Sequence, residues 1–235
     1  MSWLVVAVYT RTATLTRPKV TAPFQIERIR DLLSARCTSL PSGPVVQDGP
    51  MQPMSATPGR LLEGPQWRYE VRWTGLRVLV EATGGVLRLT SSAGQDVTAV
   101  FPEFGGLAGR LGDGLLDGQV IVLDGGVPSR AALTDRLRGS GRRSAVLMVF
   151  DILRLYGVPL LYRSLAQRRS TLERLALDGA DGITLSPVYD DGPVLLSATR
   201  RQRLAGVVAK RCDAPYRPGV RDPGWVEIAH RPARW

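Results

Sequence analysis

Short apolar runs separated by glycine-containing turns follow one another from Trp67 onward, and they restrict the chain to a sheet-rich fold. The first three runs are residues 69–73, 76–82 and 86–91. Runs of this length with turn residues between them are typical of antiparallel strands. The turns Thr74-Gly75 and 83–85 therefore predict a three-stranded antiparallel meander.

The rest of the chain alternates predicted strands with predicted helices. Apolar runs short enough for buried strands lie at 115–123, 145–153, 183–188 and 206–211. Helical spacing of apolar residues predicts helices at 104–111, 129–138, 164–177 and 195–204. Ser164 is the expected N-cap of the clearest helix, since its hydroxyl can accept a bond from a free backbone N–H. The pattern indicates an α+β fold.

Residues 1–50 differ from the remainder in composition. They combine a short apolar run, a Thr/Arg/Pro stretch and the loop-forming sequence PSGP at 41–44. We predict an N-terminal appendage over 1–50, a linker near 38–60 and a single larger domain over 51–235.

Several classes of protein are excluded by what the chain lacks. No run approaches the roughly 18 apolar residues of a membrane span, and the apolar start at 3–8 has no basic flank of a signal peptide. Cys37 and Cys212 form no paired motif, and His230 is the single histidine. Disulfide frameworks and histidine-rich metal sites are therefore excluded. We expect a cytoplasmic protein with no membrane contact.

Basic residues are numerous, but amines are scarce. The net charge is +10, yet only Lys19 and Lys210 among the 31 basic residues are lysines. The arginine guanidinium keeps its proton far above neutral pH, so it is a poor nucleophile.

Positive charge concentrates in two segments. Residues 136–174 carry nine arginines against Asp151 and Glu173, a net of +7, and residues 199–235 carry a net of +6. Each segment alone is equally compatible with solvated helix faces, but together they favour a polyanion. We predict binding to DNA without sequence preference. The expected contacts are Arg142, Arg143, Arg217 and Arg221.

Five motifs in order resemble the ATP-dependent DNA ligases, especially the bacterial repair-type enzymes. They are WRYEVRWTGLR at 67–77, LDGQVIVLD at 116–124, VFDIL at 149–153, LAGVVAKR at 204–211 and WVEIA at 225–229. The family patterns are W-x-Y-E-V-K-W-D-G-x-R, F-D-G-E-I-V, F-D-L-L, E-G-V-V-x-K-R and W-x-K-x-K. The resemblance covers about residues 51–235.

The resemblance implies a fold and a chemistry. The fold is the ligase-type nucleotidyltransferase fold, ATP-grasp-like, with two antiparallel sheets, flanking helices and an ATP cleft between the sheets. In active members a lysine of the first motif attacks the α-phosphate of ATP, carboxylates hold Mg²⁺, and lysines of the last motif neutralise phosphate charge. The chain ends soon after the last motif, so we expect no OB-fold domain.

The residues that carry this chemistry are replaced. Arg72 stands at the position of the nucleophilic lysine and Thr74 at that of the neighbouring aspartate. Gln119 and Ala205 replace the carboxylates of the third and fourth motifs, so no metal ligand is predicted there. Glu227 and Ala229 occupy the two lysine positions of the last motif. We therefore expect weak ATP binding with little effect of Mg²⁺.

The residues that shape the cleft are retained. Glu70, Arg77, Phe150 and Lys210 match their motifs and are the predicted nucleotide contacts. Phe150 can be either an adenine platform or plain core.

Three functions are compatible with this pattern. The first is a catalytically degenerate ligase adenylation domain, a pseudoenzyme that keeps nucleotide and DNA binding for DNA repair or recombination. The second is an active nucleotidyltransferase that needs an OB domain from a partner. The third is a non-catalytic module that binds a protein partner.

Overall fold

The computed structural model describes residues 51–179 and 182–230. The predicted appendage over 1–50 and its boundary lie outside these residues. The described residues contain eleven strands: β1 (Ser55–Pro58), β2 (Trp67–Val71), β3 (Leu76–Thr83), β4 (Val86–Ser91), β5 (Gly114–Asp124), β6 (Val127–Pro128), β7 (Ala145–Leu155), β8 (Val158–Pro159), β9 (Ile183–Leu185), β10 (Gly206–Arg211) and β11 (Arg221–Ala229).

Four α-helices connect these strands in the described part of the chain: α1 (Leu107–Leu111), α2 (Arg130–Leu137), α3 (Leu165–Arg174) and α4 (Gly192–Arg201). The Ser164 hydroxyl accepts a bond from the Gln167 N–H, and the Gln167 side chain accepts one from the Ser164 N–H. This capping box confirms Ser164 as the N-cap of α3.

Three helix predictions need correction. The helix expected at 104–111 is a 3₁₀ turn at Pro102–Phe104 followed by the shorter α1. Helix α3 ends at Arg174, not at 177, because Ala176 takes a left-handed conformation with φ of 47°. Helix α4 begins at Gly192, three residues before the predicted start at 195. Pro193 is tolerated in the first turn because the backbone N–H groups there have no hydrogen-bond partner within the helix.

The strands form two sheets. Sheet A has the order β1-β11-β10-β2, and sheet B has the order β4-β3-β5-β7-β8 with β6 paired to β5 and β9 paired to β7. Most neighbours are antiparallel, but β1 pairs with β11 and β9 pairs with β7 in parallel. Strand β9 ends at Leu185, three residues before the predicted end.

The predicted meander is wrong. Strands β3 and β4 form the expected hairpin, but β2 pairs with β10 in sheet A. The Arg72 N–H donates to the Gly206 carbonyl at 2.9 Å, and Leu76 pairs with Val120 in sheet B. Residues 72–75 therefore pass from one sheet to the other and do not form a hairpin turn.

Strand β1 lies within the segment up to residue 60 that the sequence predicts as a linker, so the linker prediction is wrong for these residues. The Met54 side chain is fully buried, and the Met54 N–H donates to the Tyr216 hydroxyl at 2.9 Å. The segment from Met54 to Pro58 is therefore part of the domain.

A buried charged network links sheet B to the segment between β10 and β11 of sheet A. Arg77 of β3 donates two hydrogen bonds of 2.6 Å to the buried Asp117 of β5, and Tyr216 donates one of 2.5 Å to the same carboxylate. Burial disfavours the charged guanidinium, but the charges and hydrogen bonds of Asp117 and Tyr216 together outweigh burial and raise the pKa of Arg77. The neighbouring Asp151 of β7 is neutralised in the same way by Arg168 of α3, and both side chains are fully buried.

Two motif glycines are required by close backbone contacts. A Cβ atom at Gly75 would lie 2.2 Å from the Val120 carbonyl oxygen, and one at Gly206 would lie 2.1 Å from the Ile228 carbonyl oxygen. Gly206 also has a φ of 137°, which a residue with a side chain rarely adopts. These glycines therefore serve the fold whether or not the chemistry around them is retained.

Among the described helices, none is long and apolar enough to cross a bilayer.

The close contact at Gly75 generates a stability prediction. We expect Gly75→Ala to lower the free energy of unfolding by about 2 to 4 kcal/mol, because the new methyl group overlaps a backbone carbonyl that cannot move alone. The matched control is Gly109→Ala in α1, where no heavy atom lies within 4 Å of the new Cβ. The control should be neutral or slightly stabilising. Urea unfolding of both variants is the measurement, and equal stabilities would contradict the close contact.

Candidate functional site

A cleft of about 280 Å³ opens between the two sheets. One wall comes from β1, β2, β10 and β11 of sheet A, and the other from β3, β5 and β7 of sheet B. The lining residues are Ser55, Ala56, Glu70, Val71, Arg72, Trp73, Arg77, Gln119, Phe150, Val208, Lys210, Arg221, Trp225 and Glu227. All four predicted nucleotide contacts are among them, together with Arg72.

Strand alternation explains the charged floor of the cleft. Val208 of β10 is paired with Glu70 of β2 on one side and with Glu227 of β11 on the other. Residues paired across neighbouring strands share a face of the sheet, so these three side chains form one row. Lys210, two residues along β10, lies on the same face.

Lys210 is buried within this floor. Its Nζ donates a hydrogen bond of 2.6 Å to Glu70 Oε1, and the two side chains are only 3% and 5% exposed. The ammonium also lies 4.5 Å from the ring centre of Phe150 and 4.3 Å from that of Trp225. Burial lowers the pKa of Lys210, although the charge of Glu70 acts in the opposite direction.

Arg72 and Glu227 form a second ion pair across the floor. Arg72 Nε lies 2.9 Å from Glu227 Oε1, and each side chain is 31% exposed. The Nε–H is not aligned with that oxygen for a hydrogen bond, so the contact is mainly electrostatic. Glu227, whose charge is opposite to that of the motif lysine, therefore neutralises the guanidinium that stands at the position of the nucleophilic lysine.

Phe150 forms part of the opposite wall. It is 6% exposed, and the Arg77 guanidinium carbon lies 4.5 Å from its ring centre. Trp225 meets it edge to face with the ring centres 6.2 Å apart. Phe150 is therefore a core residue that also lines the cleft, and both roles considered for it are compatible with this position.

The positions of the missing carboxylates contain no replacement ligands among the described residues. Gln119 lines the cleft from β5, and Ala205 directly precedes β10 with its carbonyl accepting a bond from the His230 N–H. The two carboxylates of the cleft, Glu70 and Glu227, are each engaged with a cation. Within 51–179 and 182–230, no group of three His, Cys, Asp or Glu side chains is arranged to hold a metal ion.

The predicted nucleic-acid contacts lie on different parts of the surface. Arg221 lies at the cleft and donates to the Ala56 carbonyl at 2.7 Å, whereas Arg217 pairs with Asp222 at 3.0 Å. Arg142 and Arg143 are exposed in the loop between α2 and β7, outside the cleft. Arg143 pairs with Asp124 at 3.3 Å.

The first basic segment is less positive in the fold than in the sequence. Five of the nine arginines of 136–174 form ion pairs, namely Arg136, Arg143, Arg154, Arg168 and Arg169. Several of their partners, such as Glu103 and Glu81, come from outside the segment. The segment is therefore not one continuous basic surface.

Sequence reasoning missed several lining residues, among them Ser55, Ala56 and Trp73. Ser55 and Ala56 belong to β1, which the sequence pattern places in the predicted linker. The short run of residues before Pro58 is a local signal that could have indicated this strand. Trp73 donates from Nε1 to the Ser186 hydroxyl at 3.1 Å and fixes the crossing segment against sheet B. Its partner is more than a hundred residues away in the chain, so no local pattern could reveal the contact.

Comparisons with known proteins agree with this architecture. The family model of the ATP dependent DNA ligase domain matches residues 53–228. The chain is 40% identical over 187 residues to the multifunctional non-homologous end joining DNA repair protein LigD of Mycobacterium tuberculosis, and the match covers 77% of this chain and 24% of that protein. It is 38% identical over 180 residues to LigD of Mycolicibacterium smegmatis, covering 74% and 23%. The chain thus spans about a quarter of the length of these relatives.

Solved structures show the same relationship. Mycobacterial DNA ligase D complexed with ATP and MES superposes with a TM-score of 0.68 at 39% identity, covering 77% of this chain and 60% of that one. The ATP-dependent ligase of bacteriophage T7 in complex with ATP has a TM-score of 0.56 at 13% identity, which shows the fold alone. The ligase-type nucleotidyltransferase fold predicted from the motifs is confirmed, and the chain belongs to the ATP-dependent DNA ligase domain family.

Proposed function

We propose that this chain is a DNA-binding member of the ligase family that has lost the ability to adenylate itself. The observation that carries the proposal is the ion pair between Arg72 and Glu227. At the position where a ligase has its nucleophilic lysine, this chain has a guanidinium that is held by a carboxylate from the last motif. A guanidinium has no available lone pair at neutral pH, so no phosphoramidate forms there.

The donor set of the cleft does not fit magnesium. A hard divalent cation needs several oxygen ligands, and Glu70 and Glu227 lie on either side of β10 with their backbones roughly 10 Å apart. Each is already neutralised by a cation of its own. Gln119 supplies only a neutral amide. No step of the proposed function therefore involves a metal ion.

Nucleotide binding is retained only in part. Phe150, Trp225 and Trp73 provide apolar surface for a base. A mycobacterial DNA ligase D of the same fold has been solved in complex with ATP, which supports the proposal of a nucleotide in this cleft. The cations Arg72, Arg77 and Lys210 are each paired with a carboxylate, so little free positive charge meets a triphosphate. We expect adenosine and ATP to bind with similar, weak affinity.

The biological role that follows is DNA repair. The LigD relatives are proteins of non-homologous end joining, and we assign this chain to the same type of process in the cytoplasm. Duplex DNA is the proposed partner because Arg142 and Arg221 are charged side chains without a carboxylate partner among the described residues.

The ion pair across the floor predicts a pattern in stability. Arg72→Glu and Glu227→Arg should each lower the free energy of unfolding by about 1 kcal/mol, because each places two like charges together. The double exchange should return to within about 0.5 kcal/mol of the starting protein. Urea unfolding of the four proteins measures the coupling, and simple addition of the two losses would argue against the pair.

The lost chemistry predicts the result of a labelling experiment. Incubation with α-labelled ATP and Mg²⁺, followed by a denaturing gel, should give no covalently labelled band. Arg72→Lys alone should also stay unlabelled, because Glu227 would hold the new ammonium in its protonated form. The combined variant Arg72→Lys, Thr74→Asp, Gln119→Glu, Ala205→Glu, Glu227→Lys and Ala229→Lys should acquire a detectable label.

The control for this experiment carries the other five changes but keeps Arg72, and it should remain unlabelled. A labelled band from the unaltered protein that disappears in Lys210→Arg would overturn the proposal, since it would identify Lys210 as a replacement nucleophile.

The DNA part of the proposal predicts salt-dependent binding to intact duplex without sequence preference. Four phosphate contacts from the predicted arginines alone should make the affinity fall by roughly two orders of magnitude between 50 and 200 mM salt. Arg142→Glu and Arg221→Glu should each weaken binding more than Arg143→Glu or Arg217→Glu, whose arginines are partly neutralised. Fluorescence anisotropy on two unrelated sequences is the measurement. An affinity that does not change with salt concentration would refute the proposed DNA binding.

A further inference from the structure

The last turn of α4 and the residues after it carry a cluster of arginines that neither the motifs nor the cleft explains. Arg200, Arg201 and Arg203 are all exposed, and we call them the α4 arginine cluster. Residues 192–212 contain no acidic side chain. In the described part of the chain, none of the three forms an ion pair, and the only side-chain bond among them runs from Arg201 to the Ser197 hydroxyl at 2.8 Å.

The cluster lies on the side of sheet A that faces away from the cleft. Helix α4 packs on β10 and β2. Val207 and Ala209 of β10 are fully buried and alternate with Val208 and Lys210, which line the cleft. Because successive side chains of a strand point to opposite faces, the helix and the cleft are on opposite faces of this sheet.

The end of the helix is held firmly in place. The Thr199 hydroxyl and His230 Nε2 lie 2.9 Å apart, which joins the last turn of α4 to the residue that follows β11. Burial lowers the pKa of His230, and the positive charge of Arg200 lowers it further.

We propose that the α4 arginine cluster is a second contact for the phosphate backbone of duplex DNA, separate from the cleft. The proposal rests on the DNA binding proposed above and adds a surface to it. Guanidinium groups match phosphate oxygens with paired N–H donors, and a duplex presents one negative charge about every 1.7 Å of its axis.

The surroundings of the cluster favour nucleic acid over an acidic protein surface. Protein interfaces have an apolar centre, whereas DNA interfaces are polar and strongly positive. The large exposed apolar side chain of α4 is Val194, which lies in the first turn at the other end of the helix. The neighbours of the cluster along the exposed surface of the helix are polar groups such as Ser197 and Gln202.

The test compares two triple variants of the full chain that remove the same charge. The first is Arg200→Gln, Arg201→Gln and Arg203→Gln. The control that removes the same formal charge is Arg60→Gln, Arg88→Gln and Arg130→Gln, three exposed arginines outside α4 and outside both basic segments, of which Arg88 is paired with Asp96. Thermal unfolding establishes that both fold, and anisotropy titrations of an intact duplex are made from 50 to 200 mM salt.

The cluster variant should lower the slope of log K against log salt by about 0.9 for each phosphate that no longer meets an arginine, which is about 2.7 for all three. The control should change it by less than about 0.9. If the cluster variant does not fold, Arg201→Gln alone should reduce the slope by about 0.9. Its effect should add to that of Arg221→Glu, because the two sites do not touch.

Three outcomes would overturn the inference. Absence of binding by the unaltered protein at 50 mM salt would remove the proposed DNA function and the cluster's role with it. Normal binding by the unaltered protein, with the cluster variant equal to its control, would remove the cluster alone. Displacement of the duplex by polyglutamate at equal charge concentration would indicate an acidic protein surface as the partner.

Discussion

The structure depends on buried charge that is neutralised between strands far apart in the chain. Arg77 and Tyr216 both bind Asp117, and Arg77 also donates to the Met54 carbonyl at 3.3 Å. Removing one partner would leave a charge unpaired in the core, which typically destabilises a protein by about 3 to 5 kcal/mol. The same contacts place Arg77 against Phe150, so the buried network also shapes one wall of the cleft.

The structure also explains which motif positions keep their residue. Gly75 and Gly206 cannot accept a Cβ without overlapping a carbonyl oxygen, and Asp117 and Asp151 each hold an arginine in the core. These residues are needed for the fold. Positions 72, 119 and 227 line the cleft and position 205 is only partly buried, so a change at any of the four disturbs the core less. Fold and chemistry are thus separable in this domain.

The substituted positions are coupled by electrostatics. Two lysines at 72 and 227 would repel each other unless phosphate lay between them, whereas Arg72 and Glu227 attract directly. Lys210 and Glu70 form the adjacent pair, so the floor of the cleft is close to neutral. Within the described residues, positive charge without a carboxylate partner lies on Arg221 at the cleft, and away from the cleft on Arg142 and the last turn of α4. This distribution favours DNA over a nucleotide triphosphate as the anion that the chain binds.

The sequence by itself determined the features that depend on near neighbours: the Ser164 cap, the β3–β4 hairpin, the order of the motifs and the family to which they belong. It did not reveal that β2 pairs with β10. That pairing joins residues about 140 positions apart, and its backbone hydrogen bonds do not depend on which side chains the strands carry. Nor did it distinguish the fully buried Arg168 from the exposed Arg142 in the same basic segment. Only the tertiary structure decided these points, since burial and ion pairing depend on which distant carboxylates the fold brings next to each arginine.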